Sequence, residues 1–330
     1  MYRIIACDLD ETLLNDEKHV SDKDIYTIKN LKDCKFVVTT GRSYNATKPV
    51  LEELGFLDKD NEYLISFNGG FISECKTDKV LYSSYLNSES IKYLFDIGLK
   101  YDISIEVCTE SEYYGYNLSN DEIYRLNKGK FKYKTFTNFE DTFSKNQKFA
   151  KIMYISNNVN YLDSIRKQID LKDIFDVTIS SNMYMEFIPK GINKGFGLQN
   201  LCNILNIDIK NTIGVGDSLN DIELIKKSGL GIGVNNVIES VKPYCDVILD
   251  SDNNNSPITE IVNKFINKSW GLFFLSFFFK HLRFNLFSNF LINIWISYQI
   301  ILNSISSLAY LFAIVWEPRT RFFDNTKFNT

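Results

Sequence analysis

At 330 residues, 45% of them apolar and 24% charged, the chain is long enough for about two domains with a sizeable core, and it is neither disordered nor collagen-like. A formal charge of −4 argues against a basic nucleic-acid binder. Only two histidines, His19 and His281, are present, and a histidine-based zinc site or catalytic triad would need partners that are not there; six scattered cysteines without a C-x-x-C pair read as cytosolic thiols.

The elements follow in chain order. The opening MYRIIACDLDE lacks the basic region and long apolar run of a signal peptide, so a cytoplasmic location is expected. Residues 4–7 read as a compact buried strand. Ser21-Asp-Lys-Asp24 then resembles a capping box, with Ile25, Ile28 and Leu31 at helical spacing behind it. A second strand over 36–39 precedes a helix containing Val50, Leu51 and Leu54, and a third over 63–67 ends in Asn68-Gly69-Gly70. Between about 82 and 185 tyrosines and charges are denser. Strands are predicted there at 103–107, 151–156, 177–180 and 184–187, with helices near 88–99 and 161–168. Beyond this stretch a helix carries Phe196, Leu198, Leu201, Cys202 and Leu205; a strand at 212–215, a helix at 221–227 and strands at 230–234 and 246–249 follow. Alternating helices and near-continuous apolar strands predict a parallel α/β sheet. Because that pattern brackets the middle, the expected domains are a sheet core of 1–81 and 186–268 and an inserted α+β domain of 82–185.

Residues 269–330 differ in character. They carry five of the Lys/Arg and two of the Asp/Glu, a surplus of three positive charges that leaves the body at −7. The 33 residues from 284 to 316 have no charge, and a bilayer span takes about 20. Asn285, Asn289, Asn293, Gln299 and Asn303 weaken insertion. This hydrophobic extension reads as a membrane anchor, an interfacial helix or an appended segment without a selected fold, and its abrupt Phe/Ile/Asn-rich composition favours the last slightly.

Four short elements carry chemistry, and their order says more than any one of them. Asp8-Leu-Asp10-Glu-Thr12 follows the first strand, where two carboxylates would project into the crevice at which open α/β sheets bind ligands; alone it reads as a loop of solvated acids. Thr39-Thr40-Gly41-Arg42 ends the second strand and offers a hydroxyl and backbone N–H groups for phosphate oxygens; alone it is a turn needing glycine. Lys194 opens a helix after Pro189-Lys190-Gly191-Ile192-Asn193, where a cation could offset repulsion between a carboxylate and a phosphate; Lys190 competes for that role. Gly214-Val-Gly216-Asp217-Ser218-Leu219-Asn220-Asp221 supplies hard oxygen ligands suited to Mg²⁺, or a plain helix cap. Gly229-Leu-Gly231-Ile-Gly233 lacks the full dinucleotide fingerprint and reads as a tightly packed strand.

Together the four resemble the motif set of the haloacid dehalogenase (HAD) superfamily of aspartate-nucleophile phosphatases, and most closely its Cof-type branch with a class IIB cap, over about residues 1–268. The resemblance implies a Rossmann-like parallel-sheet core with the middle domain as cap. It implies that Asp8 attacks phosphorus and forms an aspartyl-phosphate, while Asp10 protonates the leaving alcohol and then activates water. It further implies that Asp8, Asp10 through its backbone carbonyl, and Asp217 ligate Mg²⁺. Thr40, Gly41, Lys194 and Asn220 would hold the phosphoryl oxygens. Thr12 would orient Asp10 and its loop, with Arg42, Ser218 and Asp221 in the surroundings.

The electrostatics agree. Two like unit charges 4 Å apart repel by about 4 kcal/mol at an effective dielectric of 20, so a carboxylate facing a phosphate needs cations beside it. The expected protein is therefore a Mg²⁺-dependent phosphatase of small phosphorylated metabolites, sugar phosphates first. The alternatives are a phosphomutase of the same superfamily and a non-catalytic, membrane-tethered binding protein. No nucleic-acid partner is expected, and membrane association only through 269–330.

Overall fold

In a computed structural model, which describes residues 1–128, 132–180 and 183–267, the leading apolar run forms strand β1 (Ile4–Asp8), buried along its whole length. A tight turn over Leu9–Leu13 follows, with Glu11 in the left-handed region at φ 59°. Helix α1 (Asp22–Lys29) starts at Ser21, whose hydroxyl accepts from the Asp24 N–H at 3.2 Å. The expected capping box is half used, because the Asp24 carboxylate instead accepts from the backbone and hydroxyl of Thr259 at 2.7 and 2.8 Å. Strand β2 (Lys35–Thr39), helix α2 (Tyr44–Glu53) and strand β3 (Tyr63–Ser66) come next. A hairpin of β4 (Phe71–Glu74) and β5 (Val80–Ser83), not anticipated from the sequence, then widens the sheet.

The middle segment contains β6 (Leu86–Asn87), helix α3 (Ser88–Gly98), β7 (Ser104–Cys108), β8 (Tyr113–Tyr116), helix α4 (Asn120–Lys128) and β9 (Tyr133–Thr135). It continues with the short helix α5 (Phe139–Thr142), β10 (Lys148–Phe149), β11 (Lys151–Ile155), helix α6 (Val159–Arg166), β12 (Phe175–Ser180) and β13 (Tyr184–Pro189). Helix α7 (Lys194–Leu205), β14 (Thr212–Gly216), α8 (Ile222–Lys227), β15 (Leu230–Gly233), β16 (Val247–Ile248) and α9 (Pro257–Ile261) close the described chain.

The eight-stranded sheet runs β16-β15-β14-β1-β2-β3-β4-β5, parallel from β16 to β3. Its parallel strands are apolar on both faces because helices cover both. Ile5 and Cys7 pack towards α1, α2 and α9 with Ile28, Leu51 and Ile258, while Ile4 and Ala6 pack towards α7 and α8 with Leu198 and Leu224. The fold is thus the α/β, parallel-dominated core that the alternation predicted. The order places β1 between β14 and β2, so the chain leaves the sheet in opposite directions from neighbouring strands, and a crevice opens at their carboxyl ends.

The second sheet, β12-β13-β11-β7-β8-β9, is antiparallel except for β8 with β9. One face packs Ile105, Val107, Ile152, Tyr154 and Phe187 on α3 and α6. The chain changes sheets after Ser83 and returns after Pro189. The expected extension, 269–330, lies outside the described residues. Among the described residues no helix is long and apolar enough to cross a membrane.

Candidate active site

Asp8 is the last residue of β1, and the register sets Cys7 beside Val215 and Asp8 beside Thr39, which brings three of the four motifs to one edge of the sheet. Lys194, at the start of α7, completes the group. Its ammonium is fully buried and donates to Asp8 Oδ1 at 2.5 Å and to Asp221 Oδ1 at 2.6 Å. Burial alone would discharge this lysine, but the facing Asp221 and Asp8 carboxylates outweigh it and hold its pKa above the usual value. Asp8 is 5% exposed; burial, then the charge of Asp221, push its carboxyl up against the opposing pull of Lys194. Lys190, the competing candidate, pairs with Asp173 instead.

The fourth motif folds around Gly216, where a Cβ would come within 2.3 Å of the Asp221 Cβ. That close approach lets Asp221 tuck under the turn, where its Oδ2 accepts from the N–H groups of Asp217 and Ser218 at 3.1 and 3.0 Å. Asp217 is held by Thr12, whose hydroxyl donates to Asp217 Oδ1 at 2.6 Å across 205 positions of sequence. Thr12 therefore orients Asp217, whereas the resemblance implied that it orients Asp10. The carboxylates of Asp8, Asp217 and Asp221 lie within 4.8 Å of one another, three buried acids beside one ammonium. Burial, then Asp221, push the Asp217 carboxyl up as well.

Asp10 stands apart. Its carboxylate, 40% exposed, takes a two-point grip from Arg42, Nε to Oδ2 at 2.9 Å and Nη2 to Oδ1 at 2.5 Å. Arg42 thus has a defined contact where the sequence left it open. Thr40 is buried, and its hydroxyl accepts from the Arg42 N–H at 3.2 Å. The Ser218 hydroxyl donates to Asn220 Oδ1 at 2.8 Å.

A polar chain that sequence reasoning missed joins the two sheets. Asn220 Nδ2 donates to Asn68 Oδ1 at 3.2 Å, and Asn68 Nδ2 donates to Glu186 Oε2 at 3.3 Å. Lys151 donates to the same Glu186 oxygen at 2.6 Å and to the Gly41 carbonyl at 3.0 Å. A cavity of about 370 Å³ lies between the sheets and is lined by Asp8, Asp10 and Asp217 on one side and by Glu106, Lys151 and Glu186 on the other. The usable sequence signal was a charged residue inside an otherwise buried strand, as in Glu106, Lys151 and Glu186.

The model of the haloacid dehalogenase-like hydrolases matches residues 5–262. A provisionally named phosphatase of Buchnera aphidicola subsp. Baizongia pistaciae is 31% identical over 241 residues, 72% of this chain and 87% of its own length. The 5-amino-6-(5-phospho-D-ribitylamino)uracil phosphatase of Bacillus subtilis is 28% identical over 256 residues, 76% of this chain and 90% of its own. A haloacid dehalogenase-like hydrolase from Bacteroides thetaiotaomicron, 23% identical, superposes with a TM-score of 0.71 over 80% of this chain and 99% of its own, and so shares the fold. The chain belongs to the haloacid dehalogenase-like hydrolases. Within that family it is an enzyme of the phosphatase kind, as the Cof-type resemblance implied.

Proposed function

We propose that the chain is a Mg²⁺-dependent phosphomonoester hydrolase acting on small phosphorylated metabolites, sugar phosphates first, through an aspartyl-phosphate on Asp8. The observation that carries this reading is the buried Lys194 ammonium on Asp8 Oδ1, which holds a carboxylate at the end of β1 beside a cation that can also neutralise an incoming phosphoryl group. Asp8 attacks phosphorus, and the bond to the leaving oxygen breaks as that oxygen takes a proton from Asp10. Water then attacks the same phosphorus and gives a proton to Asp10, the bond to Asp8 breaks, and inorganic phosphate leaves. Asp10 starts as a carboxylate paired with Arg42, so that pair opens and Asp10 takes up a proton from solvent water before it reaches the leaving group. Thr40, Gly41 and Asn220 line the crevice and would hold the phosphoryl oxygens, with Lys194 supporting them from behind Asp8.

Three buried carboxylates against one ammonium leave an uncompensated negative charge that a hard divalent cation fits. Asp221 has its oxygens occupied by Lys194 and two backbone N–H groups and does not line the cavity. Asp8 and Asp217, with the Asp10 carbonyl, are therefore the residues to hold Mg²⁺, and Asp221 supports them from behind. When bound, the ion would supply charge neutralisation for the phosphoryl group.

We read 82–185 as the cap that closes the crevice. The B. subtilis relative named above acts on a phosphorylated ribityl compound, which supports a polyhydroxylated substrate for this chain too. Five buried cysteines, none in a disulfide, suit a reducing cytoplasm. Full-length protein screened for phosphate release over a metabolite library should show Mg²⁺-dependent turnover. Asp8→Asn should abolish that turnover in a folded protein. More than about a tenth of the activity surviving in this variant excludes Asp8 as nucleophile, since such groups contribute several orders of magnitude.

A further inference from the structure

The inner face of the six-stranded sheet carries one row of residues in register. Thr178 stands opposite Glu186, Glu186 opposite Met153, Met153 opposite Glu106 and Glu106 opposite Gly115. Registered partners share a face, and the alternate residues Ile105 and Val107 go to the helix-covered side, so Glu106 points away from the apolar core. It lines the cavity shared with Asp8, yet it is only 2% exposed.

The other charges at this wall are already matched. Lys151 is paired with Glu186 at 2.6 Å. Arg125 grips Glu122 Oε2 through Nε and Nη2 at 3.0 and 2.8 Å, and the Tyr184 hydroxyl lies 3.2 Å from both Glu122 oxygens. Glu106 Oε1 is buried with no hydrogen-bond partner. A buried acceptor left unmatched is destabilising, so its retention calls for a ligand that satisfies it. Burial, then the nearby Glu122 charge, push the Glu106 carboxyl up to about 8, consistent with a group that presents an acceptor oxygen and not an added charge near neutrality.

We infer that Glu106 is a specificity-determining residue of the phosphatase site: its unmatched carboxyl oxygen receives a hydroxyl or amine hydrogen from the leaving group, and the wall around it disfavours leaving groups that carry negative charge. This rests on the phosphomonoester reading above and narrows its substrate class to uncharged or cationic, donor-bearing phosphomonoesters.

The test compares full-length wild type, Glu106→Gln and Glu106→Leu on four probes: sorbitol 6-phosphate (polyol), glucosamine 6-phosphate (amine), phenyl phosphate (no donor) and 3-phosphoglycerate (anionic). Wild type should prefer either or both donor-bearing probes to phenyl phosphate and use 3-phosphoglycerate poorly. The ratio of kcat/KM for the preferred donor-bearing probe to that for phenyl phosphate should fall about tenfold or more in Glu106→Leu, and about threefold or more in Glu106→Gln, which keeps one acceptor. The thermal midpoint of Glu106→Leu should rise by about 2–4 °C, which a purely structural carboxylate would not produce. If Glu106→Leu fails to fold, the isosteric Gln variant decides alone. Ratios within twofold of wild type, or a wild-type preference for 3-phosphoglycerate, overturn the inference while leaving the phosphatase reading in place. A wild type that hydrolyses none of the four overturns the inference, and one that also releases no phosphate across the metabolite library removes the reading itself.

Discussion

At the scale of single residues, Thr12 shows how a local motif acquires a distant task. Its hydroxyl is fully buried and aimed at Asp217 Oδ1, where its hydrogen bond opposes the burial that pushes that carboxyl up. Replacing Thr12 with Val keeps the volume and removes the donor, so Asp217, the proposed Mg²⁺ ligand, becomes less well oriented. Loss of such a supporting contact typically costs 10–100-fold in metal affinity. We expect Thr12→Val to raise the Mg²⁺ concentration for half-maximal activity by about that factor, with kcat at saturating metal nearly preserved; a metal titration of activity reads this, and an unchanged midpoint would refute it. Three of the four motifs were legible because each sits beside its strand end, and strand ends share an edge in a parallel sheet, whereas Lys194 joins them from the start of α7. The partnership of Thr12 with Asp217 was not, because nothing in a spacing of 205 residues says which hydroxyl meets which acid. Arg42 was open for the same reason: the motif shows a guanidinium near the crevice but not the Asp10 carboxylate it takes.

At the scale of elements, α9 is secured by ion and backbone contacts that bind loops, helices and sheet together. Glu260 accepts from the N–H groups of Asp250 and Ser251 at 3.1 and 2.8 Å and from Lys264 at 2.6 Å. Burial pushes its carboxyl up, but the Lys264 and Ser251 hydrogen bonds outweigh it and hold the pKa down at about 2. A carboxylate depressed in the folded state stabilises above its unfolded pKa, near 4.3, and loses that contribution as pH falls towards the folded value. Partial exposure screens the effect, which leaves it on the order of 1 kcal/mol. Glu260→Gln should therefore be less stable than wild type at pH 7, and the gap should narrow steadily between pH 4.5 and pH 2 (thermal midpoints across that range measure it). A gap that widens on acidification would contradict the sign. Elements whose partners are consecutive parallel strands were readable from apolar runs alone. The hairpin β4–β5 was not, since its second strand is half-buried and carries no clean alternation. Strand β13, expected over 184–187, runs on to Pro189, because Ile188 and Pro189 pair with Asp176 and Phe175 of β12.

At the scale of the whole molecule, a buried ion pair of the second sheet helps tie it to the first. Lys151 and Glu186 are each 4% exposed at their side chains, and Lys151 also reaches the Gly41 carbonyl, in the loop that the proposed mechanism uses for phosphate. Burial lowers the lysine's pKa, but Glu186 more than offsets this, so the ammonium persists in the interior. Removing one partner of such a pair strands the other charge, which costs about 3–5 kcal/mol, whereas replacing both with apolar residues is often close to neutral. We therefore expect Lys151→Met to destabilise by about that amount and the double variant Lys151→Met/Glu186→Leu to recover at least half of it, as measured by denaturant unfolding. Recovery will stop short of complete, because Ser180 and Asn68 also donate to Glu186 and lose their acceptor. Activity should follow a different course. Both variants release the Gly41 carbonyl, so both should lose turnover to a similar degree however stable they are. If the double variant regained activity along with stability, the contact to Gly41 would be a fold-stabilising bond only, and the coupling of the second sheet to the proposed phosphate loop would run through the Ser43 N–H and the Tyr113 hydroxyl instead.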